Sequence, residues 1–320
     1  MKTENRRVLL TGGAGFIGSH LADELLRLGN DVAVVDNFSS GRREFISHLK
    51  SNERFSVKEA DILSDDIEPL IEDSDCVFHL AANPDVRLGI EDTRVHLDQN
   101  IIATYRLLEG MRKTGVKEML FTSTSTVYGE ASQIPTAEGY GPLVPISLYG
   151  ASKLACEALI SSYCHTFDLK ACLYRFANVV GSRSTHGVIH DFIEKLRDDP
   201  VRLEILGREP GTVKSYCHIS DCVQALVHGW KVLSEPVEMY NIGSVDAIDV
   251  KKIADIVSGE LGLKNVEYHW TGGVDDGRGW KGDVRKMLLS IDKLESAGWK
   301  PSYGSEDAVR LAARELISGE

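Results

Sequence analysis

Short apolar runs alternate with amphipathic stretches through the first half of this chain. The runs Val8 to Leu10, Val32 to Val35, Phe55 to Val57, Cys76 to Leu80, Glu118 to Thr122 and Ala171 to Tyr174 have the length of buried strands. Between the first two, Ile17, Leu21, Leu25 and Leu28 fall on one helical stripe, and Gly29 supplies a stop. Residues 93–114 and 148–167 read as two further helices, too polar to be wholly buried in one subunit yet carrying more apolar surface than its exterior needs. Strands that alternate with helices predict an α/β fold, a doubly wound parallel sheet covered on both faces.

After Arg175 the pattern loosens into stretches rich in Gly and Ser, at 181–187 and again at 272–282. Loops of this kind tend to carry binding groups. The segments Tyr216 to Trp230 and Met239 to Ile242 read once more as sheet or sheet-covering elements. The expected organisation is therefore a first domain of residues 1–176 plus about 216–245, with a smaller C-terminal α/β domain of about 177–215 plus 246–320.

Composition narrows the function. A chain of 320 residues with 42% hydrophobic and 26% charged residues is neither disordered nor fibrous. Its net charge of -12 argues against a nucleic-acid partner, and an anionic ligand must be received by a local cluster of donors. Cys76, Cys156, Cys164, Cys172, Cys217 and Cys222 form no CxxC pair, which reads as reduced thiols in a cytoplasmic protein. No apolar run reaches the roughly 18 residues of a membrane span, and the polar start does not read as a signal peptide. His79, His186, His190 and His218 lack metal-ligand spacing, so they read as hydrogen-bonded or surface residues and no metal is expected.

Two motifs carry chemistry. The first strand runs into Thr11-Gly12-Gly13-Ala14-Gly15-Phe16-Ile17-Gly18, which satisfies both GxGxxG and GxxGxxG. Glycines there allow a tight turn, a backbone close to a pyrophosphate and a helix packed onto the sheet. The next strand ends on Asp36, followed by Asn37, at the distance expected of a ribose-binding acid. A carboxylate there accepts the 2'-hydroxyl of NAD and repels the 2'-phosphate of NADP, so NAD is the expected cofactor and the domain is of Rossmann type. The nearby Arg42 and Arg43 read as solvated charges. The second motif is Tyr149-Gly150-Ala151-Ser152-Lys153, whose four-residue spacing puts phenol and ammonium on one helix face. An ammonium beside a phenol favours the phenolate, as would a positively charged nicotinamide. Upstream, Phe121-Thr122-Ser123-Thr124-Ser125-Thr126-Val127-Tyr128-Gly129 offers a hydroxyl to a reacting oxygen.

Together with Asp61-Ile62, His79-Leu80-Ala81-Ala82, the segment from Arg175 to Gly181 and Gly282-Asp283-Val284, these motifs resemble the extended short-chain dehydrogenases over nearly the whole chain. The resemblance implies a nucleotide-sugar enzyme in which Tyr149 is the base and acid, Lys153 holds the nicotinamide ribose and lowers the tyrosine pKa, and Thr124 completes the triad. It implies a dinucleotide site of Gly12, Gly15, Phe16, Ile17, Gly18, Asp36 and Asn37, with Asp61 and Ile62 flanking adenine and Ala81 and Ala82 on the nicotinamide side. Asn178 would meet the substrate; by the same resemblance Lys214, where the family commonly has an Arg, and Arg278, which precedes Gly282-Asp283, would pair with its diphosphate. Sugar 4,6-dehydratases and UDP-glucuronate decarboxylases of this family carry a Glu immediately before Val-Tyr-Gly, whereas this chain has Thr124-Ser125-Thr126. That departure favours reversible 4-epimerisation of a UDP-sugar over elimination, decarboxylation or a noncatalytic NAD-sensing role. Relatives place a pocket-wall residue four positions after the Asp of Gly-Asp; here it is Met287, expected to narrow the pocket against N-acetyl sugars without closing it. The helical surface, as in relatives, implies a homodimer.

Overall fold

A computed structural model describes residues 3–319. The first apolar runs form β1 (Arg7–Thr11), β2 (Asp31–Asp36), β3 (Phe55–Glu59), β4 (Cys76–His79), β5 (Glu118–Thr124) and β6 (Lys170–Phe176). Among the described residues they join the strand Val237–Ile242 in a seven-stranded parallel sheet, ordered Val237–Ile242, β6, β5, β4, β1, β2, β3. Central strands are continuously apolar because helices cover both faces: Val8, Leu9 and Leu10 are buried in β1, and all four residues of β4 are buried. At the sheet's edge, β3 stays largely exposed. The order reverses between β1 and β4, the switch point at which such sheets receive ligands beyond their carboxyl ends.

The helix after β1, α1 (Phe16–Arg27), buries Gly18, Ser19, Leu21, Ala22 and Leu25, while Ile17 and Leu28 at its ends are only partly covered. Its stop is a Schellman turn: Gly29 sits at φ +82°, with Gly29 N–H donating to Leu26 O and Asn30 N–H to Leu25 O. The second predicted helix begins later and less regularly than its sequence suggests. A π-helical turn at Leu97–Ile102 precedes a regular helix at Ala103–Thr114. The long helix Leu148–Phe167 spans the whole predicted range.

The chain divides into two compact units, the first comprising Met1–Val127, Leu148–Arg175 and Val223–Tyr240, the second Tyr128–Ser147, Phe176–Cys222 and Asn241–Glu320. The units differ from the sequence reading at residues 128–147, 216–222 and 241–245, and the first two differences have visible reasons. Residues 128–147 join the second unit because Asn241 binds them: its Oδ1 accepts from Tyr128 Oη (2.7 Å) and its Nδ2 donates to Thr136 O and Ser290 O (2.9 Å each). The segment before Val223 joins it because Tyr216–His218 pairs in parallel with Asn178–Val180 and Tyr216 N–H donates to Ser305 Oγ (3.0 Å). In that unit the helices Val188–Asp198, Val250–Glu260 and Ser305–Ser318 pack a core that includes Phe192, Ile193, Ile253, Val257, Val309 and Ala312.

All six cysteines are buried and free. Among the described residues no helix is long and apolar enough to cross a membrane.

Candidate active site

The glycine turn is shaped by approaches that no side chain could enter. A Cβ on Gly18 would stand 2.2 Å from Gly12 O, and one on Gly12, at φ +70°, 2.7 Å from Ala81 N. α1 therefore starts hard against the turn, and the turn lies against the end of β4. Gly15 caps α1 without a side-chain hydrogen bond, and the first turn, including Phe16 and Ile17, has no acidic residue. The helix start thus keeps its positive end for an anion. Asp36 accepts from Ala14 N–H (2.9 Å) on one oxygen and Phe38 N–H (2.8 Å) on the other. Burial pushes its pKa up and these two donors pull it down. Both oxygens retain acceptor capacity for a ribose hydroxyl. Asn37 donates to Asp61 (3.1 Å), Asp61 accepts Leu63 N–H, and Ile62 is buried beside it. Bare backbone at a helix start followed by an acid at the end of β2 fits NAD. Arg43 is exposed, pairs with Glu59 (2.6 Å) and stacks on Phe38 (4.0 Å), so it is already engaged.

The end of β5 meets the long helix in register. Lys153 Nζ donates to Thr122 O (2.9 Å), Ser123 Oγ donates to Glu157 (2.5 Å), and Thr124 hydrogen-bonds Tyr149. Tyr149, Lys153 and Glu157 sit four residues apart on one face, as the sequence spacing requires. Thr126 donates both its backbone N–H and its hydroxyl to Thr124 Oγ1 (3.2 Å each). With its lone pairs thus occupied, Thr124 is left to donate towards Tyr149.

Burial pushes the Tyr149 phenol up to about 12, against a smaller downward effect of the Thr124 hydrogen bond. The same desolvation pulls Lys153 down to about 8, opposed by Cys156 and Glu157. A proton-abstracting Tyr149 therefore needs a further positive charge.

Neighbouring polar groups hold this arrangement. His79 joins Thr11 (2.8 Å) and Thr104 (3.0 Å) through its ring nitrogens, and burial pulls it down to about 3, so it is a neutral structural residue. His218 likewise contacts Ser220 (2.8 Å) and Glu315 (3.3 Å). His186 contacts Thr185, and His190 is only partly buried. Among the described residues no group of three or more His, Cys, Asp and Glu could hold a metal ion. Sequence reading missed Asn100, whose amide donates to Ser152 Oγ (2.9 Å) and accepts Asn83 N–H (2.8 Å), tying the π-helical turn to the long helix. It also gave no role to Glu157 and Arg175, although Glu157 continues the Tyr149 and Lys153 stripe.

The second unit assembles the other predicted residues. Lys214 Nζ pairs with Asp283 (2.6 Å) and lies over the Trp280 ring (5.4 Å). Arg278 pairs with Glu130 and donates to the Asp283 carbonyl. Both cations thus already have carboxylate partners, which the spacing of the sequence did not reveal. Met287 is opposite Lys214 in the register of a short parallel pair and is buried. Asn178 donates from Nδ2 to Ser215 O (3.1 Å).

Residues 8–243 match the NAD dependent epimerase/dehydratase family. The chain is 31% identical to a putative UDP-glucose 4-epimerase of Methanocaldococcus jannaschii, over 95% of this chain and 96% of that one. It is 30% identical to UDP-glucuronic acid decarboxylase 2 of Arabidopsis thaliana, over 99% of this chain and 69% of that one. A crystal structure of UDP-galactose 4-epimerase superposes with a TM-score of 0.85 at 42% identity, covering 98% of this chain and 99% of that one.

The desolvated phenol makes a spectroscopic prediction. In nucleotide-free protein near pH 10, where an ordinary phenol is about half ionised, Tyr149 remains neutral, and NAD moves its ionisation to lower pH. Ultraviolet phenolate absorbance of the wild type minus that of Tyr149→Phe measures it; ordinary titration without NAD would contradict the burial account.

Proposed function

The chain belongs to the NAD dependent epimerase/dehydratase family, and from that premise we propose that it interconverts UDP-glucose and UDP-galactose through a 4-keto sugar. The observation that carries this reading is the group behind Thr124. It is the hydroxyl of Thr126, at 3.2 Å, where dehydratases and decarboxylases are expected to present a carboxylate. Without an acid at that place there is no group to protonate a departing hydroxyl, and oxidation followed by re-reduction at one carbon is the simpler cycle.

Gly12, Gly15, Phe16, Ile17 and Gly18 would hold the NAD pyrophosphate, Asp36 and Asn37 its adenosine ribose, Asp61 and Ile62 the adenine, and Ala81, Ala82 and Lys153 the nicotinamide end. Bound NAD supplies reversible hydride transfer at C4. Tyr149, as phenolate, takes the proton of the sugar 4-hydroxyl while the Thr124 hydroxyl turns its one proton from Tyr149 to the same oxygen, which becomes the ketone. The proton returns from Tyr149 when the ketone is reduced on its other face. Proton and hydride leave and return together, so the cycle is redox-neutral. With Tyr149 raised to about 12 by burial, the Lys153 ammonium and the charge of the oxidised nicotinamide must act together to make it a base at neutral pH. Lys214 and Arg278 would exchange part of their pairing with Asp283 and Glu130 for the diphosphate, and Asn178 would contact the substrate.

Incubating the purified protein with each UDP-sugar and separating the products tests the assignment. Interconversion is expected without added cofactor, and Tyr149→Phe should lower turnover at least about 100-fold while NAD binding persists. Conversion of neither sugar, with loss of water or carbon dioxide from another nucleotide sugar, would replace this reading.

The 2-substituent is governed by Met287 in this proposal, since its adaptable side chain narrows the pocket without sealing it. UDP-glucose and UDP-galactose should be preferred over their N-acetylamino counterparts, and Met287→Ser should improve the latter. An unchanged ratio of kcat/KM between the two sugar classes would remove Met287 from the pocket.

We place a homodimer interface on the first unit's exposed apolar residues, Leu97, Ile102, Tyr105, Leu148 and Phe167. Sedimentation equilibrium should give the mass of two chains, and Tyr105→Glu should give one. A monomeric wild type would contradict the interface.

A further inference from the structure

One buried ion pair lies outside the chemistry just described. The side chains of Glu157 and Arg175 are 4% and 3% exposed. Arg175 grips Glu157 with two donors, Nε to Oε1 at 3.0 Å and a terminal nitrogen to Oε2 at 2.6 Å. Oε1 also takes the 2.5 Å hydrogen bond of Ser123. Three structural elements meet in this contact: the long helix through Glu157, β6 through Arg175, and the end of β5 through Ser123.

A buried ion pair is weak evidence of a stabilising device, because desolvating both charges offsets most of their attraction. Its placement points to another purpose. Glu157 lies one helical turn beyond Lys153, and Ser123 stands between Thr122, which accepts from Lys153, and Thr124, which bonds Tyr149. A carboxylate fixed there holds the strand end in register with the helix. After Cys156, it also opposes the desolvation of Lys153.

We propose that Glu157, clamped and oriented by Arg175, is a positioning residue that sets the register of Thr124, Tyr149 and Lys153 and fixes a carboxylate one helical turn from the Lys153 ammonium. This assignment takes its chemistry from the proposed epimerase reading. Arg175 is a planar two-donor clamp with a permanent charge, so Glu157 cannot rotate away. The other ionisable groups around Lys153 leave it alone in the neutral to mildly alkaline range. On its own helix, Tyr149 and Cys156 are both raised by burial. His79 at the end of β4 and His96 before the π-helical turn are both lowered and neutral there. Arg175 on β6 remains charged throughout.

The sign of the effect follows. Lys153 is protonated below its midpoint and loses its charge as pH rises through it. Removing the Glu157 charge lowers that midpoint, so activity that needs the ammonium is lost at lower pH. Lys153 can be followed without any substrate by NMR of the full chain labelled at lysine Cε, its signal assigned by its loss in Lys153→Met. The wild-type midpoint is expected near about 8, falling by about one unit in Glu157→Gln. The alkaline limb of turnover should move with it, giving a loss that approaches roughly tenfold above the wild-type midpoint. Because Glu157→Gln strands the Arg175 charge and can fail to fold, the apolar double variant Glu157→Met/Arg175→Leu is the second arm. It should regain a wild-type melting temperature yet keep the lowered Lys153 midpoint and the shifted pH profile. A folded double variant with the wild-type midpoint and profile overturns the proposal and leaves the pair a purely structural contact. If the wild type converts neither UDP-sugar, the epimerase reading fails, and the Lys153 midpoint still decides this proposal separately.

Discussion

The arrangement of the first unit depends on keeping an ammonium charged out of water. Lys153 is 3% exposed, and desolvation alone would drive such a group towards neutrality. What opposes this is a set of fixed contacts: the carbonyl of Thr122, the face of Phe121 at 4.7 Å and the carboxylate of Glu157 one turn away. Each comes from an element whose position is set by the sheet. The parallel strand order puts the ends of β5 and β6 side by side beneath the long helix, so the charge environment of one lysine is inseparable from the fold that surrounds it.

The same sheet produces the second constraint, at its switch point. A dinucleotide needs bare backbone at a helix start, and the helix must then pack directly on the strands. Gly12 and Gly18 meet the need from opposite sides, one touching the end of β4 and the other the turn itself. Asp36 is drawn into this frame by two backbone donors, which orients its carboxylate for the ribose proposed to bind there. Preorganised acceptors of this kind reduce the ordering that binding would otherwise require.

In the second unit the problem is inverted. Lys214 and Arg278, the cations proposed for the diphosphate, are each neutralised by a carboxylate, Asp283 and Glu130. Partly buried cations left unpaired would be costly in the absence of a ligand. Acidic partners avoid that cost and also oppose any anion that is not held by several contacts at once. For a protein with a net charge of -12, such local pairing fits selectivity based on geometry rather than on long-range attraction.

Most of the first unit was legible in the sequence because its signals are local. Buried parallel strands are apolar runs, and α1 needs its glycine turn and its Gly29 stop. The YxxxK spacing by itself places phenol and ammonium on one face. The hydroxyls that stand at Thr124 to Thr126 in place of a carboxylate, on which the proposed reaction rests, are local in the same way. Contacts between distant parts of the chain were not legible. Residues 128–147 belong to the second unit because of a buried Asn241 more than a hundred positions away. The π-helical turn at Leu97–Ile102 has no distinct periodicity of its own, and the carboxylate partners of Lys214 and Arg278 lie far away in sequence. Nor could spacing give the protonation of Tyr149. A four-residue interval fixes which groups are neighbours, whereas desolvation depends on everything packed around them, and here it outweighs the nearby charge. The sequence by itself determined the strands, the glycine turn and the placing of Tyr149 and Lys153 on one helix face, because each is written within one or two helical turns. The tertiary structure decided unit boundaries, ion pairing and pKa, because these depend on burial that only distant segments, brought together, can create.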